Sequence, residues 1–372
     1  MTEPASGAAT GAPVHLVREA VRRERAYRVP TETGIAAKLD QNESPYGVPA
    51  PIREAALQAV REAPWNRYPD DRPHRLVAAL EAAWDLPAGS VIVGHGSNEI
   101  THTLGLCFVD PGTPVVLPAP MFGLYSSVMR MFEADIHTVA PGPDLSHSAD
   151  RILEAAQASR AALTVVTTPN NPTGQTVPHE GLQRLASGVP GMLLVDEAYH
   201  EFLTGPTALD LLREHPNVLV MRTFSKAMGL AGLRVGTLVG HPDVIAEVEK
   251  ARLPFVVDRL AEAVALSLLD RPDLVADRVR EMRAEHDRLA GAVEAMPGCE
   301  VLRGAANFFL FRTPLAHDAL RAALAGAGVN VRDVTGYPEL APTPEAPGWL
   351  RASVGTPEEN EAFLTALRGA LA

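Results

Sequence analysis

The sequence predicts an α/β protein with a mostly parallel central sheet, helices on both faces of that sheet, and a smaller α+β unit at the C-terminal end. Short runs that are apolar throughout recur between residues 91 and 240, as expected for strands that are buried on both faces. Helical or turn-like sequence separates most of these runs, which is the pattern of a doubly covered parallel sheet. The length of 372 residues also exceeds one ordinary core and favours two domains.

Amphipathic helices precede the central sheet along the chain. Residues 14–26 are basic and predict a short helix, and PIREAALQAVREA and HRLVAALEAAW carry apolar residues at helical spacing. Further helices are predicted near residues 121–133 and 148–158. The predicted strands are VIVG (91–94), PVVLP (114–118), ADIHTVA (134–140), ALTVVTTP (162–169), MLLVDEAY (192–199), NVLVMRT (217–223) and LRVGTLVG (233–240).

The character of the chain changes after residue 258. Residues 259–296 form a long, charged and amphipathic helical region, and the rest alternates apolar runs with two more helices, predicted over 315–327 and 357–371. This sequence is typical of a separate α+β unit. We therefore expect an N-terminal arm (1–40), a large domain (41–258) and a small C-terminal domain (259–372).

Composition and charge exclude several classes of protein. Hydrophobic residues make up 46% of the chain and the net charge is −12, which argues against a nucleic-acid partner. Cys107 and Cys299 are the only cysteines, too few for a disulfide scaffold, and no histidine lies in a metal-binding pattern such as H-E-x-x-H. No apolar run approaches the about 20 residues of a membrane helix. We expect a cytoplasmic protein without a membrane partner or a metal.

The loops at the carboxyl ends of the predicted strands carry the reactive side chains. GHGSNEI follows a strand and opens a helix, which makes a phosphate cradle; a dinucleotide-binding turn is the alternative, although Glu99 replaces its third glycine. Asp196 ends an apolar strand, where a carboxylate needs a cation. Ser225 and Lys226 follow another strand, and Arg234 lies eight residues after the lysine. A carboxylate, a lysine and a phosphate cradle together predict pyridoxal 5′-phosphate (PLP).

The motifs in these loops carry a family resemblance. From about residue 39 onward the chain resembles the fold-type I, class I/II aminotransferases, and among them most closely the histidinol-phosphate aminotransferases. The motifs occur in family order, and Asp196 lies 30 residues before Lys226 as in the family. They are LDQNESPYG, NRYPDD, GHGSNE, PMFGLY, TTPNNPTG, VDEAYHEF, RTFSKAMGLAGLRVG, NFFLF and LRASVGTPEEN.

The resemblance implies roles around the cofactor ring. Lys226, in RTFSKAMG, would hold the cofactor aldehyde and later carry a proton between substrate and cofactor. Asp196 would keep the ring nitrogen protonated. Asn171, in PNNPTG, and Tyr199 would hydrogen-bond the ring hydroxyl. Phe122 would stack on the ring, where the family usually has tyrosine.

The resemblance also implies a phosphate site and a dimer. Ser225, Arg234 and the backbone of Ser97 and Asn98 would hold the cofactor phosphate. Tyr68, in RYPD, resembles the tyrosine that reaches the phosphate from the partner subunit. A homodimer with shared active sites is therefore implied.

Four residues are candidates for contact with the substrates, an amino donor and a 2-oxo acid. Arg351, in LRASVG, and Arg332, in VNVRD, have the planar fork that binds carboxylate or phosphate, although a solvated arginine is the alternative for each. The resemblance adds Asn42, in LDQNESPYG, and Tyr27, which resembles the N-terminal tyrosine near the substrate in this family. The segment PFVVDRLAEA departs from the family and leaves the neighbouring substrate contacts open.

The implied reaction moves an amino group between L-histidinol phosphate and 2-oxoglutarate. An aromatic or broad-specificity aminotransferase, a β-lyase, or a decarboxylase related to the threonine-phosphate decarboxylases would share nearly all of these residues. A serine hydrolase would need G-x-S-x-G, which GHGSN does not match. A regulatory module fused to a DNA-binding domain is a further alternative, but we expect no room for such a domain and find no basic patch, and the intact Lys226 favours an enzyme. The sequence therefore favours an aminotransferase, with the related PLP enzymes as open alternatives.

Overall fold

The computed structural model describes residues 13–26, 34–344 and 346–372 and contains two β-sheets. The larger sheet has seven strands and the smaller has five. A short strand near the N-terminus, β1 (Ala37–Leu39), belongs to the smaller sheet. Before it, the basic segment forms a 3₁₀ turn (Val14–Leu16) and the short helix α1 (Glu19–Arg23) instead of one continuous helix.

The seven-stranded sheet confirms the prediction of a mostly parallel sheet. Its order is β2-β8-β7-β6-β5-β3-β4; β8 runs antiparallel to both of its neighbours, and the other pairs are parallel. The strands are β2 (Val91–His95), β3 (Pro114–Pro118), β4 (Asp135–Val139), β5 (Leu163–Thr167), β6 (Met192–Asp196), β7 (Val218–Thr223) and β8 (Val235–Gly240).

Helices cover both faces of this sheet, which explains why its strands are apolar throughout. Within β6, Leu193 and Val195 pack into one hydrophobic cluster and Leu194 packs into a second cluster on the opposite face. The helices in this part of the chain are α2 (Ala50–Glu62), α3 (His74–Ala83), α4 (Gly96–Phe108), α5 (Leu124–Met131), α6 (Ala149–Ser159), α7 (His179–Gly188) and α8 (Pro242–Glu249).

The five-stranded sheet has the order β1-β11-β12-β10-β9, with β1 parallel to β11 and the other pairs antiparallel. The long helical region divides into two helices because Pro272 disfavours helical backbone in the residue before it. The strands are β9 (Glu300–Leu302), β10 (Phe308–Arg312), β11 (Val329–Asp333) and β12 (Leu350–Ser353). The helices are α9 (Arg259–Leu269), α10 (Pro272–Glu294), α11 (His317–Gly326) and α12 (Pro357–Leu371).

The chain between β1 and α2 connects the two sheets. The C-terminal sheet takes β1 from the predicted N-terminal arm, and residues 40–42 then pass the carboxyl ends of the large sheet. The division at residues 40 and 258 stays a prediction. Within the described ranges, no helix combines the length and the apolar character needed to cross a membrane.

Candidate active site

The side chains singled out in the sequence converge where three parallel strands end. Asp196 is the last residue of β6, Asn171 lies in the loop after β5, and Lys226 lies three residues after β7. The opposite wall comes from the smaller sheet, which contributes Arg351 on β12. Ligand sites of open α/β sheets form at this edge because the carboxyl-end loops meet there.

Asp196 is a buried carboxylate with a donor on each oxygen. Its Oδ2 accepts a hydrogen bond from the Tyr125 hydroxyl at 2.8 Å, and its Oδ1 accepts one from the Ala198 N–H at 3.0 Å. Burial raises the pKa of Asp196 to about 6, and the two hydrogen bonds act in the opposite direction. The site therefore holds a carboxylate that needs a cationic partner to ionise fully.

Lys226 has the opposite shift from the same cause. Burial lowers the pKa of Lys226 to about 7, and the positive charge of Arg351 acts in the same direction. The Lys226 Nζ donates a hydrogen bond to the Gln41 carbonyl at 3.0 Å and lies 5.7 Å from the centre of the Tyr199 ring. An amine in this state is a nucleophile and a proton carrier near neutral pH.

The first turn of α4 lies close to Arg234 and β8 because glycines occupy the positions of closest approach. Gly96 has φ +75°, and a methyl group on it would overlap the guanidinium of Arg234. A methyl group on Gly236 of β8 would overlap the backbone nitrogen of Ser97. The Arg234 Nη1 lies 3.5 Å from the Ser225 hydroxyl. Helix N–H groups, a guanidinium and a hydroxyl thus surround one space, which suits a phosphate.

Asn42 joins the two walls of the cleft. Its Nδ2 donates to the Tyr199 hydroxyl at 2.9 Å, and its Oδ1 accepts from the Ser353 hydroxyl at 2.9 Å. The Asn307 side chain donates to the Asn42 carbonyl at 3.2 Å. Asn42 is 1% exposed, so the structure places it beneath Tyr199 rather than at the open face of the cleft. Its predicted role as a substrate contact stays a prediction.

Arg351 lies across the cleft from the strand ends. Its Nη1 donates to the Asn171 Oδ1 and its Nη2 donates to the Asp40 carbonyl at 2.8 Å, while its guanidinium lies 5.2 Å from the Phe308 ring centre. Arg332 lies directly opposite Arg351 in the β11–β12 register, and directly opposed residues share one face of a sheet. The two arginines therefore project to the same side.

Several predicted site residues lie at the margin of this cluster or away from it. Phe122 is half-buried in the loop before α5, and Asn98 is exposed in the first turn of α4. Tyr68 is 77% exposed and stacks on Phe255 with ring centres 4.7 Å apart. Tyr27 lies outside the described residues.

Sequence reasoning missed four contributors to the site. Tyr125 is the last residue of the motif PMFGLY, and its sequence context gives it no role because its contact with Asp196 spans 71 residues. The carbonyls of Asp40 and Gln41 hold Arg351 and Lys226, but backbone acceptors leave no signal in a sequence. Asn307, the first residue of NFFLF, supports Asn42.

A group with metal-ligand side chains lies elsewhere, on the smaller unit. His317, Asp318 and Asp333 place their ligating atoms within 4.8 Å of one another. Asp318 is exposed, and Asp333 Oδ1 already accepts two hydrogen bonds from Thr335. The group has the character of an acidic surface cluster.

The fold and the cleft define an enzyme whose site pairs a low-pKa lysine with a buried carboxylate at the edge of a doubly covered sheet. A profile of the family "aminotransferase class I and II" matches residues 35–367. The chain belongs to the class I and II aminotransferase family, and the resemblance and fold class predicted from the sequence are confirmed.

Individual proteins show the same relationship. The chain is 36% identical to histidinol-phosphate aminotransferase of Chlorobaculum parvum over 353 residues, which cover 95% of this chain and 98% of that protein. Histidinol-phosphate aminotransferase from Sinorhizobium meliloti, solved in complex with pyridoxal-5′-phosphate, has a TM-score of 0.85 at 23% identity and 98% coverage of both chains. L-threonine-O-3-phosphate decarboxylase from Porphyromonas gingivalis has a TM-score of 0.78 at 20% identity, covering 90% of this chain and 99% of its own.

Proposed function

We propose that this protein is a PLP-dependent aminotransferase of histidine biosynthesis. It converts L-histidinol phosphate and 2-oxoglutarate to imidazole acetol phosphate and L-glutamate. The observation that carries this proposal is the 36% identity to a histidinol-phosphate aminotransferase over nearly the whole of both chains. The fold supports only the broader class, since a decarboxylase shares it.

The residues of the cleft fit the proposed cofactor at three points. Gly96 and Gly236 let the Arg234 guanidinium and the Ser97 backbone nitrogen come close at the first turn of α4, and these donors suit the phosphate. The buried carboxylate of Asp196 lacks a full counter-charge, as its raised pKa indicates, and suits a protonated ring nitrogen. Lys226 suits the aldehyde. When bound, PLP supplies an electron sink for the substrate Cα.

Lys226 handles the proton. With a pKa of about 7, its amine is divided between the charged and neutral forms near neutral pH, so its Nζ could accept a proton from the substrate Cα and later release it. The Gln41 carbonyl accepts a hydrogen bond from the Lys226 Nζ at 3.0 Å and so fixes the position of the amine. Burial keeps water away from this exchange.

Arg351 and Arg332 recognise the anionic groups of the two substrates. Arg351 already donates to two neutral oxygens, those of Asn171 and Asp40, and a carboxylate or phosphate would be the stronger acceptor. Arg332 shares its face of the sheet. One guanidinium site can thus serve glutamate in one half-reaction and histidinol phosphate in the other.

The protein acts as a homodimer in the cytoplasm. Tyr68 and Phe255 form an exposed aromatic stack, and Trp65 and Leu253 nearby on the chain are 81% and 74% exposed. Apolar side chains exposed in this number on a monomer are typical of an interface. Tyr68 would then enter the active site of the partner subunit. The biosynthetic role of the relatives supports the cytoplasm.

The test is the visible absorption of the PLP-loaded protein during addition of L-histidinol phosphate without a 2-oxo acid. We expect the visible band to disappear and to return when 2-oxoglutarate is added. A protein whose band ignores histidinol phosphate but responds to phenylalanine or tyrosine would instead be an aromatic aminotransferase. Release of carbon dioxide from threonine phosphate would identify a decarboxylase.

A further inference from the structure

Tyr125 is a fully buried tyrosine whose hydroxyl reaches the acid of the active site. It lies on α5 with 1% of its surface exposed, among Ile100, Leu104 and Leu194 of the hydrophobic cluster on that face of the large sheet. Its hydroxyl lies 2.8 Å from the Asp196 Oδ2 and 3.6 Å from the Met221 sulfur. Of these two acceptors, the carboxylate oxygen is the nearer and by far the stronger.

The bond from Tyr125 completes the fixation of the carboxylate. Backbone pairing of β6 with β5 and β7 holds the Asp196 main chain, and the Ala198 N–H holds Oδ1 at 3.0 Å. Without a donor on Oδ2, the carboxylate plane could still turn about its Cβ–Cγ bond. With a donor on each oxygen, the carboxylate of Asp196 is held in one orientation, and its remaining lone pairs point in a fixed direction.

Resting on the proposed function, we propose that Tyr125 is a positioning residue: its hydroxyl aims the Asp196 carboxylate and keeps it ionised, so that it can receive the protonated ring nitrogen of PLP. The Tyr125 hydroxyl itself would not touch the cofactor. It would act through Asp196 alone.

The charges around Asp196 show why a donor is needed. Burial and the neighbouring Glu197 raise the pKa of Asp196, whereas Tyr125, the Ala198 N–H and the Lys226 charge lower it. Burial and the Asp196 charge in turn hold the pKa of Tyr125 well above its usual range, so the phenol stays protonated and remains a donor. A hydrogen-bond acceptor in place of this hydroxyl would raise the pKa of Asp196 instead of lowering it.

The first experiment uses the Tyr125→Phe variant loaded with ¹⁵N-labelled PLP. We expect the ring nitrogen to lose its proton at a lower pH than in the wild type, as seen in its ¹⁵N chemical shift, and the Kd for PLP to rise about tenfold, the usual effect of losing a hydrogen bond to a buried charge. Met221→Leu is the matched control, because it removes the sulfur and keeps the hydroxyl bond. Equal ¹⁵N titrations in the wild type and Tyr125→Phe would overturn the proposal.

A double-mutant cycle separates positioning from packing. If Tyr125 acts through Asp196, Tyr125→Phe should not change the Kd for PLP in an Asp196→Asn background. A tenfold loss in that background would mean that the ring acts by packing and would overturn the proposal. Tyr125→His keeps an N–H donor on an aromatic ring and should recover part of the affinity for PLP. It replaces Tyr125→Phe in these measurements if the phenylalanine variant does not fold.

A third measurement stands apart from the cofactor. In the cofactor-free protein, the ¹³C carboxyl signal of Asp196 should titrate at a higher pH in Tyr125→Phe than in the wild type. A wild type that binds no PLP would contradict the proposed function, whereas an unchanged ¹³C titration would contradict the role of Tyr125. The two failures are therefore distinguishable.

Discussion

Lys226 and Asp196 have pKa values that burial moves toward one another. The lysine falls to about 7 and the aspartic acid rises to about 6, so near neutral pH the lysine is partly neutral while the carboxylate is mostly charged. The protein accepts the free-energy cost of burying both groups in order to keep them in these states. That cost can be measured in the cofactor-free protein.

Asp196→Asn should change the pH dependence of stability in a defined direction. Because the folded pKa of Asp196 lies above its unfolded value of 3.8, the folded state binds more protons between about pH 4 and 6, and its stability falls as the pH rises through that range. Across this pH range, the free energy of unfolding of the wild type minus that of the variant should fall by about 3 kcal/mol. This follows from the shift of the Asp196 pKa, because each pKa unit corresponds to about 1.36 kcal/mol. Urea unfolding of the cofactor-free proteins at a series of pH values measures it.

Asp144→Asn provides the matched control. Ser146 holds the pKa of the exposed Asp144 below its usual range, so the corresponding difference should rise with pH instead of falling. A pH-independent difference for Asp196→Asn would show that its carboxylate ionises in the fold without cost.

At the scale of elements, the start of α4 depends on the absence of a side chain. Gly96→Ala would introduce a methyl group against the Arg234 guanidinium at a φ of +75°. If Arg234 binds the cofactor phosphate as proposed, displacing it would remove a charge-assisted contact, so we expect the Kd for PLP to rise about tenfold or more. Fluorescence titration of the cofactor-free protein with PLP measures the change.

Gly369→Ala is the control for this substitution. Gly369 lies inside α12, and no atom outside its own stretch of helix lies within 4 Å of the place that an added methyl group would take. Alanine should therefore stabilise the helix by up to about 1 kcal/mol and leave PLP affinity unchanged. Equal PLP affinity in Gly96→Ala and wild type would exclude the cradle as the phosphate site.

A buried ion pair links Arg222 of β7 to Glu197, the residue that follows β6. Arg222 donates to the Glu197 Oε2 through Nη2 at 2.8 Å and Nε at 3.1 Å, and its guanidinium lies 5.2 Å from the Trp84 ring centre. Burial is the largest single influence and raises the pKa of Glu197. The charges of Arg222 and His200, together with the hydrogen bonds from Arg222 and the Ala208 N–H, outweigh it, so the net shift is downward. Glu197 is 2% exposed and follows Asp196 directly.

Arg222→Met should therefore be strongly destabilising. It leaves the Glu197 carboxylate buried without its counter-charge, and the free energy of unfolding should fall by about 3–5 kcal/mol. Arg213→Met is the matched control: Arg213 and its partner Asp85 have 74% and 90% exposed side chains, and we expect a loss below about 1 kcal/mol. Thermal or urea unfolding compares the two, and similar losses would refute this role for the buried pair.

For the molecule as a whole, the sequence predicted what local patterns determine. Apolar runs and their spacing predicted the seven strands of the large sheet, and the motifs predicted Lys226, Asp196 and Arg234 around one space. The three residues of β1 were missed because their partners on β11 lie near the other end of the chain and only the folded sheet reveals them. Tyr125 was missed for the same reason, since its value depends on a contact with a distant strand.

The proposed dimer makes a prediction for mixed subunits. Lys226→Ala removes the reactive amine, and Tyr68→Ala removes the phosphate contact offered to the partner, so each variant alone should lose activity by at least about 10²-fold. Mixed dimers contain one complete site when Tyr68 acts across the interface. Activity should therefore reappear after the two inactive proteins are unfolded and refolded together. Recovery that never exceeds the sum of the parents would place Tyr68 in its own subunit's site.

Residues 40–42, which connect the two sheets, have a consequence for cofactor binding during translation. Asn42 hydrogen-bonds Ser353, and Asp40 accepts from Arg351, each contact spanning 311 residues. During translation the seven-stranded sheet can emerge and form early, yet the cleft cannot close around Lys226 until β12 has left the ribosome. We expect nascent chains that end before residue 350 to be unable to retain PLP, so retention of the cofactor should wait for the synthesis of β12.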